Sequence, residues 1–364
     1  MIVNGKSTNT IWVAKDKRTV EIIDQTKLPF EFKTEKLLNY KDAFVAIKEM
    51  LVRGAPLIGV TAAYGLCLAA NENSKIEFLE KACIHLKNAR PTAVNLNWSL
   101  ERMMTKAYET DENNILDVLY AEAKNILDED INFCKQIGIH GSQLIEKLSK
   151  NKKKVVNILT HCNAGWLATV DWGTATSPIY TAFNNDIPIH VWVDETRPRN
   201  QGSFLTSWEL REHGVPHTII PDNTGGHLMQ KGDVDIVIVG SDRTTFTGDV
   251  CNKIGTYLKA LSAYDNNIPF YAALPSSTID WTIENGMEIP IEERNNNEVS
   301  IIRGKNKKGL MEEVQIVPDN TNVINYAFDV TPRKLVTGII TERGVCRASK
   351  DEILKLFPEK VNCQ

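Results

Sequence analysis

The sequence predicts an α/β protein in which a mostly helical N-terminal domain precedes a domain built on a parallel sheet. Its 364 residues exceed what one ordinary hydrophobic core organises, which favours two domains. Residues 40–148 place apolar side chains at helical spacing, whereas residues 155–273 alternate short apolar runs with helix-like segments. That alternation is typical of a doubly wound parallel sheet. The lysine-rich run 150–154 marks the boundary, so we predict domains at 1–149 and 150–364.

Composition and charge exclude several classes of function. A hydrophobic content of 42% and a charged content of 24% are those of a globular protein in water. With a net charge of −4, the chain has no overall excess of positive charge that would attract nucleic acid or an anionic membrane. The most apolar segment, 58–70, is well short of the ~20 residues that span a bilayer. The N-terminus lacks the long apolar core of a secretory signal peptide. Seven cysteines without CxxC or metal-ligand spacing predict no metal and a reducing, cytoplasmic compartment.

The N-terminal elements follow from spacing. Two β-like runs, Ile11–Val13 and 19–23, flank a turn-like segment and predict a small hairpin. From Tyr40, apolar residues at three- and four-residue steps predict an amphipathic helix that ends near Arg53. The next stretch, 55–70, is apolar on nearly all sides and predicts a buried helix. Further helices are predicted over 76–86, 94–108 and 115–148.

In the second domain, polar segments follow the predicted strands. The strands are predicted at 155–159, 187–193, 217–220, 234–239 and 269–273, with helices at 204–213 and 254–264. Cys162 follows the first strand, and polar runs at 194–202, 240–243 and 275–278 follow the second, fourth and fifth. Because ligands bind outside the carboxyl ends of parallel strands, this convergence predicts one site at that edge.

Two residues of these segments carry reactive groups. Cys162 is either a reactive thiol in a cleft or a small core filler. His161 precedes it, but neighbours on an extended chain point apart, so no Cys–His pair is implied. Asp242 follows an apolar run, where poor solvation favours the protonated carboxyl and suits it to general-acid work. The alternative for Asp242 is a helix cap or a partner for Arg243.

Three segments suggest anion binding. Arg53, Gly54 and Ala55 join two predicted helices, so an arginine fork stands where backbone can approach a ligand closely. Arg90 with residues 91–93 repeats that arrangement; salt bridges across a domain interface are the competing interpretation. Asn252 and Lys253 open the helix-like segment 254–264, where free N–H groups and a lysine hold an anion, unless they form an ordinary cap. The nucleotide signatures GxxxxGK[ST] and GxGxxG are absent.

Assembled, these segments resemble the methylthioribose-1-phosphate isomerase family over almost the whole chain. The segments that carry the resemblance are 53–56, 90–93, 160–163, 194–202, 242–243, 248–257, 289–294 and 327–332. The resemblance implies a helical domain before a Rossmann-like domain, a homodimer, and isomerisation of an aldose 1-phosphate to a ketose 1-phosphate without a cofactor. It implies that Cys162 is the catalytic cysteine and Asp242 the proton donor. The implied substrate-binding residues are Arg53, Gly54, Ala55, Arg90, Gln201, Asn252 and Lys253.

The resemblance leaves alternatives open. The first is S-methyl-5-thioribose 1-phosphate isomerisation in methionine salvage; segments 172–178, 241–245 and 249–252 look like a branch associated with 5-deoxyribose 1-phosphate. An apolar pocket separates such substrates by only ~1–3 kcal/mol, so one enzyme can serve both. A ribose 1,5-bisphosphate isomerase would need extra positive charge. The distant alternative is a regulatory subunit of the translation initiation factor's nucleotide-exchange complex, which need not keep Cys162 and Asp242.

Overall fold

The computed structural model describes residues 1–3, 5–91, 93–152 and 154–363, and only the backbone of Ile2, Asn362 and Cys363. Thr92 in the predicted Arg90 segment and Lys153 in the predicted boundary run lie outside the described residues. The helices are α1 Tyr40–Lys48, α2 Ala55–Glu72, α3 Ile76–Lys87, α4 Val94–Tyr108, α5 Ile115–Lys152, α6 Thr176–Asn184, α7 Ser207–His213, α8 Thr224–Gln230, α9 Thr256–Asp265, α10 Asn297–Ser300 and α11 Lys350–Leu356. A π-helical segment, Gly202–Thr206, leads into α7, and 3₁₀ turns lie at Trp166–Ala168, Ser276–Thr278, Gly286–Glu288, Arg333–Leu335 and Pro358–Cys363.

The strands follow the same chain order. They are β1 Ile2–Val3, β2 Lys6–Ser7, β3 Ile11–Val13, β4 Val20–Ile23, β5 Thr34–Leu37, β6 Val156–Thr160, β7 Ile189–Asp194, β8 His217–Ile220, β9 Ile236–Val239, β10 Arg243–Thr245, β11 Val250–Lys253, β12 Phe270–Ala273, β13 Ile279–Asp280, β14 Ile301–Lys305, β15 Met311–Gln315, β16 Phe328–Thr331, β17 Gly338–Thr341 and β18 Gly344–Cys346.

The N-terminal part packs its helices around α2. The predicted hairpin is confirmed as β3 and β4, paired antiparallel with Ile11 opposite Ile22, and β5 adds a third strand that the sequence analysis missed. The predicted buried helix is confirmed, since nearly every residue of α2 is inaccessible to solvent. The first helix ends at Lys48, not near Arg53, because Met50 adopts φ +60° and the Val52 N–H donates to the Ala46 carbonyl. This early end leaves Arg53 on a loop.

The C-terminal part is organised by a large sheet. In the described part of the chain its order is β18-β17-β12-β9-β6-β7-β8, parallel except for β18. The predicted parallel sheet is therefore confirmed. Along β9, Ile236 and Ile238 pack into one core while Val237 and Val239 pack into the other. Burial on both faces explains why this strand reads as a continuous apolar run.

Two connections leave the sheet from neighbouring strands in opposite directions. From β6 the chain continues to β7 and β8 on one side, and from β9 it continues to β12 and β17 on the other. The carboxyl ends of β6 and β9 therefore flank the topological switch point, where such sheets bind ligands. A smaller sheet of order β13-β10-β11-β16 and the hairpin β14–β15 lie outside this sheet.

Helix α5 joins the two cores. Its first half contributes Leu119 and Ile126 to the helical core, and its second half contributes Ile137 and Ile145 to the core under the large sheet. The division at 149/150 stays a prediction. None of the helices in the described residues is long and apolar enough to cross a membrane.

Candidate active site

Cys162 and Asp242 lie at the switch point of the large sheet. Cys162 follows β6 and Asp242 follows β9, and these strands are neighbours. Both side chains line one cavity, which also receives the loop between α1 and α2. The lining residues are Arg53, Gly54, Ala55, Pro56, Cys162, Asn163, Ala164, Ala168, Thr169, Thr174, Ser241, Asp242, Asn252 and Pro275. A thiol and a carboxyl group therefore share a cleft whose opposite wall is the start of α2.

The backbone of Cys162 is held in an unusual conformation. Its φ is +68°, in the left-handed region that side-chain-bearing residues rarely adopt. Its N–H donates to Thr196 Oγ1 at 2.8 Å, and its carbonyl accepts from Thr206 Oγ1 at 2.7 Å. These two hydroxyls fix both peptide groups of Cys162 and so orient the thiol in the cavity.

Arg53 reaches the thiol from the other part of the chain. One guanidinium nitrogen donates to Asn163 Oδ1 at 2.7 Å. A second donates to the Asn163 carbonyl at 3.1 Å and lies 3.6 Å from Cys162 Sγ. Asn163 Nδ2 in turn donates to Thr206 Oγ1 at 3.1 Å. The arginine is thus pre-oriented, with its positive charge beside the reactive sulfur.

Burial sets the protonation of both reactive groups. It raises the pKa of the Cys162 thiol, although the charges of Arg53 and Lys253 act to lower it. It also raises the pKa of the Asp242 carboxyl, against Lys253, Arg90 and Arg53. This direction agrees with the expectation that poor solvation favours the protonated carboxyl of Asp242, and its role as proton donor stays a prediction. Both groups keep their protons to a higher pH than they would in water, although positive charges lie nearby.

The start of α2 is open to an anion. Gly54 adopts φ +89°, and a Cβ there would lie 2.4 Å from the backbone oxygen of Ala168. Only glycine permits this approach. Ala55 and Pro56 begin α2, and among the described residues no side chain caps its N-terminus. Because the first N–H groups of a helix have no intrahelical partner, this end of the 18-residue helix favours negative charge.

The prediction that Asn252 and Lys253 open a helix is wrong. Both lie at the end of strand β11, where they pair with Asp329 and Phe328 of β16. Helix α9 starts only at Thr256, and Asp329 already accepts the Gly255 and Tyr257 N–H groups at 2.7 and 3.1 Å. A carboxylate thus occupies the anion site that the sequence suggested.

Asn252 and Lys253 nevertheless lie close enough to act on the reactive groups. Asn252 lines the cavity and donates from Nδ2 to Thr256 Oγ1 at 3.1 Å. Lys253 is buried, with Nζ 2.9 Å from the Ala327 carbonyl and 4.7 Å from the Phe328 ring centroid. Burial lowers the pKa of Lys253, while Cys162 and Asp242 act to raise it.

Arg90 and Gln201 are not among the residues that line this cavity. Arg90 forms an ion pair with Glu292 at 3.1 Å, and its charge acts on Asp242. Gln201 lines a larger neighbouring cavity that shares Arg53 with the first. Arg90 Nε and Gln201 Oε1 are buried without a hydrogen-bond partner among the described residues. Both therefore have unused capacity to bind a ligand.

Glu209 was missed by the sequence analysis. Its carboxylate is fully buried; Oε2 accepts the Leu167 N–H at 3.1 Å, and Oε1 fills the space that a side chain at Gly165 would need. Burial raises the pKa of Glu209 to about 7, and Arg53 acts to lower it. A glutamate inside an amphipathic helical pattern gives no signal of burial, so only the fold reveals it.

One cluster offers metal-type ligand atoms. His161, Asp194 and Asp222 place such atoms within 4.8 Å of one another. Lys259 Nζ lies 3.2 Å from Asp194 Oδ2 and also donates to the Asp222 carbonyl. A cation of this chain already neutralises the cluster. The two side chains do point apart, as the sequence predicted, but not because they share an extended strand: both follow the end of β6, and Cys162 has a left-handed backbone, so the His161 ring turns to this cluster while Cys162 lines the cavity.

The chain resembles known proteins over both its N-terminal and its C-terminal part. The model of the Initiation factor 2 subunit family matches residues 51–348. A methylthioribose-1-phosphate isomerase from Paramagnetospirillum magneticum is 58% identical over 361 residues, 99% of this chain and 100% of that protein. The solved 5-methylthioribose 1-phosphate isomerase of Pyrococcus horikoshii OT3 superposes with a TM-score of 0.83 at 41% identity, covering 97% of each chain. Translation initiation factor eIF-2B subunit delta from A. fulgidus superposes with a TM-score of 0.80 at 38% identity, covering 97% of this chain and 100% of that one.

Proposed function

We propose, since this chain belongs to the Initiation factor 2 subunit family, that it works as a methylthioribose-1-phosphate isomerase of methionine salvage. It is an aldose–ketose isomerase that converts S-methyl-5-thioribose 1-phosphate to methylthioribulose 1-phosphate. The observation that carries this is the cavity shared by Cys162, Asp242 and the start of α2. The 5-deoxyribose alternative is not favoured, because the relatives from Paramagnetospirillum magneticum and Pyrococcus horikoshii are named for the methylthio substrate. A purely regulatory subunit would have no use for a thiol and an acid in one cleft.

The substrate's phosphate is proposed to bind at Arg53, Gly54 and Ala55. The guanidinium and the uncapped end of α2 supply positive charge, and Gly54 lets the backbone come close. Arg90 is proposed to join them through its buried Nε, a donor without a partner among the described residues; Gln201 is proposed to orient the sugar, because its unpartnered Oε1 can accept from a sugar hydroxyl. Asn252 and Lys253 are proposed to orient the sugar from the side of β11.

Asp242 is proposed to start the reaction. The anomeric oxygen of this substrate carries phosphate, so the ring cannot open to an aldehyde without a proton on the ring oxygen. Burial raises the pKa of this carboxyl group, so it keeps a proton to donate at a higher pH than an ordinary aspartate does. After that transfer Asp242 is a carboxylate, which Lys253 and the two arginines stabilise.

Hydrogen must then move from C2 to C1, and Cys162 is proposed to serve that step. In an enol route the thiolate removes the C2 proton and returns it at C1; in a hydride shift the C2 hydrogen passes to C1 with its electron pair while the thiol supports the transition state. In either route the C2 hydroxyl loses its proton as the ketone forms, and the Asp242 carboxylate left by the first step can take that proton. Burial raises the pKa of Cys162, so the ligand-free site holds a neutral thiol. That state favours the hydride shift, because the enol route needs a thiolate.

The experiment compares Cys162→Ser and Asp242→Asn with the unmodified enzyme. Each change removes one reactive group with little change of shape, so kcat should fall by at least ~1,000-fold at unchanged far-UV circular dichroism. Cys83→Ser is the matched control, since that thiol lies in the helical core, and its kcat should be unchanged. Turnover of either site variant at the unmodified rate would contradict the mechanism.

Two substrates complete the test. Purified enzyme should show a higher kcat/KM for the methylthio sugar than for the 5-deoxy sugar, and background rates on both would remove the assignment. With substrate deuterated at C2, a hydride shift retains the label at C1. Complete loss of the label to water would instead support the enol route.

We further propose a homodimer in the cytoplasm. Tyr257, Leu258, Leu261 and Tyr264 form an apolar stripe on α9 with exposed fractions of 37%, 56%, 37% and 66%, which a second copy can cover. Sedimentation should give twice 40.9 kDa. Leu258→Glu should shift the protein to monomer, while Leu38→Glu, exposed on the N-terminal part, should not.

The six cysteines with described side chains are free thiols, which supports a reducing compartment; recovery with secreted markers on cell fractionation would contradict it.

A further inference from the structure

The ring of His161 is held between two hydrogen-bond acceptors. Its side chain is 1% exposed. Nδ1 lies 2.8 Å from Asp194 Oδ2, and Nε2 lies 2.8 Å from the Ile254 carbonyl oxygen. A carbonyl oxygen accepts only, so Nε2 carries a proton.

The partner of Nδ1 is itself held in place. Asp194 Oδ2 also lies 3.2 Å from the Lys259 ammonium, and Asp194 is fully buried. The ring of His161 is therefore fastened at both nitrogens to oxygen atoms whose positions are fixed by other contacts.

Charged groups from several elements surround the ring. Asp194 comes from the end of β7, and Asp222 lies 4.0 Å from Nδ1 on the segment before α8. Asp329 on β16 carries a carboxyl group near the ring, and Lys259 on α9 forms an ion pair with Asp194. None of these four groups is among the residues that line the cavity.

His161 links the two sides of the reactive cleft. Through its own backbone it continues directly into Cys162, and through Nε2 it holds Ile254, which follows Lys253. Gly255 lies against the ring, and a Cβ there would come within 3.1 Å of it. Thr196 closes the loop, because its Oγ1 accepts the Cys162 N–H and donates to the Asp194 carbonyl.

We propose that His161 is a positioning residue: held between Asp194 and Ile254, it fixes Cys162 opposite Lys253. The proposal rests on the proposed function for the role of Cys162. Removing the ring would take a hydrogen-bond partner away from Asp194 and from the Ile254 carbonyl, which is unfavourable in a buried place. With both contacts made, the ends of β6 and β11 keep their separation when the substrate binds.

The anchoring is measured first, without reference to activity. In His161→Gln, amide hydrogen exchange at Cys162 and in the segment around Ile254 should be faster than in the unmodified enzyme, because the ring no longer ties the two segments together. His190→Gln should leave that exchange unchanged. Unchanged exchange at both segments in His161→Gln overturns the proposal, even if Cys162→Ser confirms the function.

The positioning role is measured by kinetics. In His161→Gln and Asp194→Asn, kcat per folded enzyme should fall on the order of 100-fold, the effect of small misplacement of a reacting group. KM should change little, because Arg53 and α2 hold the phosphate from the other side. His190→Gln, a histidine bonded to Thr218 on the same sheet, should leave kcat unchanged.

The outcomes separate positioning from simple stability. A purely structural role would lower the folded fraction and leave kcat per folded enzyme unchanged, and that result overturns the proposal. If His161→Gln does not fold, Asp194→Asn, which keeps the shape and removes the charge, decides the kinetics. If Cys162→Ser proves active while kcat still falls in Asp194→Asn, the proposed function fails and the role of His161 needs another reacting group.

Discussion

Backbone strain is concentrated beside the reactive thiol. Cys162 and Thr196 both have positive φ, +68° and +66°, and a hydrogen bond joins them. Such conformations cost about 1–3 kcal/mol each and persist only where the surroundings enforce them. A β-branched residue such as Thr196 is especially rare there. The surrounding network therefore holds the thiol in one orientation at the expense of local stability.

Gly54 gives a test of close approach at the phosphate loop. Gly54→Ala adds a methyl group 2.4 Å from Ala168 atoms at φ +89°, so the loop must shift. We expect destabilisation of more than about 2 kcal/mol in urea unfolding and a clear loss of kcat/KM.

Gly309→Ala is the control for that change. Its φ of +80° is similar, but nothing lies within 4 Å of the added Cβ. It should cost only about 1 kcal/mol, the strain of the left-handed backbone, without loss of activity. Equal effects of the two changes would show that contact with Ala168 is unimportant.

Single residues of the site were predictable where local pattern places them. Cys162 and Asp242 each follow an apolar run, and the rule for parallel sheets brings such positions together. His161 and Glu209 were not predictable, because their partners come from distant segments. Ile254 is 93 residues from His161, and Leu167 is 42 residues from Glu209. Spacing along the chain carries no information on such pairs.

Elements were predicted best where periodicity is strong. Helix α4 matches its predicted bounds, and all the predicted strands of the large sheet are present within a few residues. The sequence did not predict β11, because Asn252 and Lys253 are polar and a helix-like pattern follows them. Its strand structure comes from pairing with β16, some 76 residues further along the chain. Tertiary pairing overrides local pattern in such short strands.

Glycines on α5 show how sequence sets helix packing. A Cβ at Gly138 would lie 2.4 Å from Ser177 Oγ, and one at Gly141 would lie 2.4 Å from Pro178 Cγ. Two glycines three residues apart share one helix face. They let α6 approach the second half of α5 closely, and α6 begins soon after the loop that carries Cys162.

For the whole molecule, buried carboxyl groups predict how stability depends on pH. Burial raises the pKa of Asp130 and of Glu209 to about 7 each. The folded state then keeps protons that the unfolded state has released between roughly pH 4 and 7. The free energy of unfolding should therefore fall as pH rises from 5 to 8.

Glu209→Gln should flatten this dependence. A shift of the pKa from 4.5 to about 7 corresponds to roughly 3 kcal/mol of unfolding free energy that the protein loses as pH rises. The variant with a neutral amide does not undergo this loss. Urea unfolding at pH 5 and pH 8 measures the difference. Glu212→Gln, on the same helix but paired with Arg211 near the surface, should keep the slope of the unmodified protein. An unchanged slope in Glu209→Gln would show that this carboxyl is ionised when folded.

Helix α5 also determines how far the two parts can be treated as modules. Its 38 residues run about 57 Å, with one half embedded in each core. A fragment cut after residue 149 would carry Ile137 and Ile145 with nothing to cover them, and the complementary fragment would lack that layer beneath its sheet. Neither fragment would fold as an independent unit. Chimaeras with related proteins should therefore exchange α5 together with both of the cores that it joins.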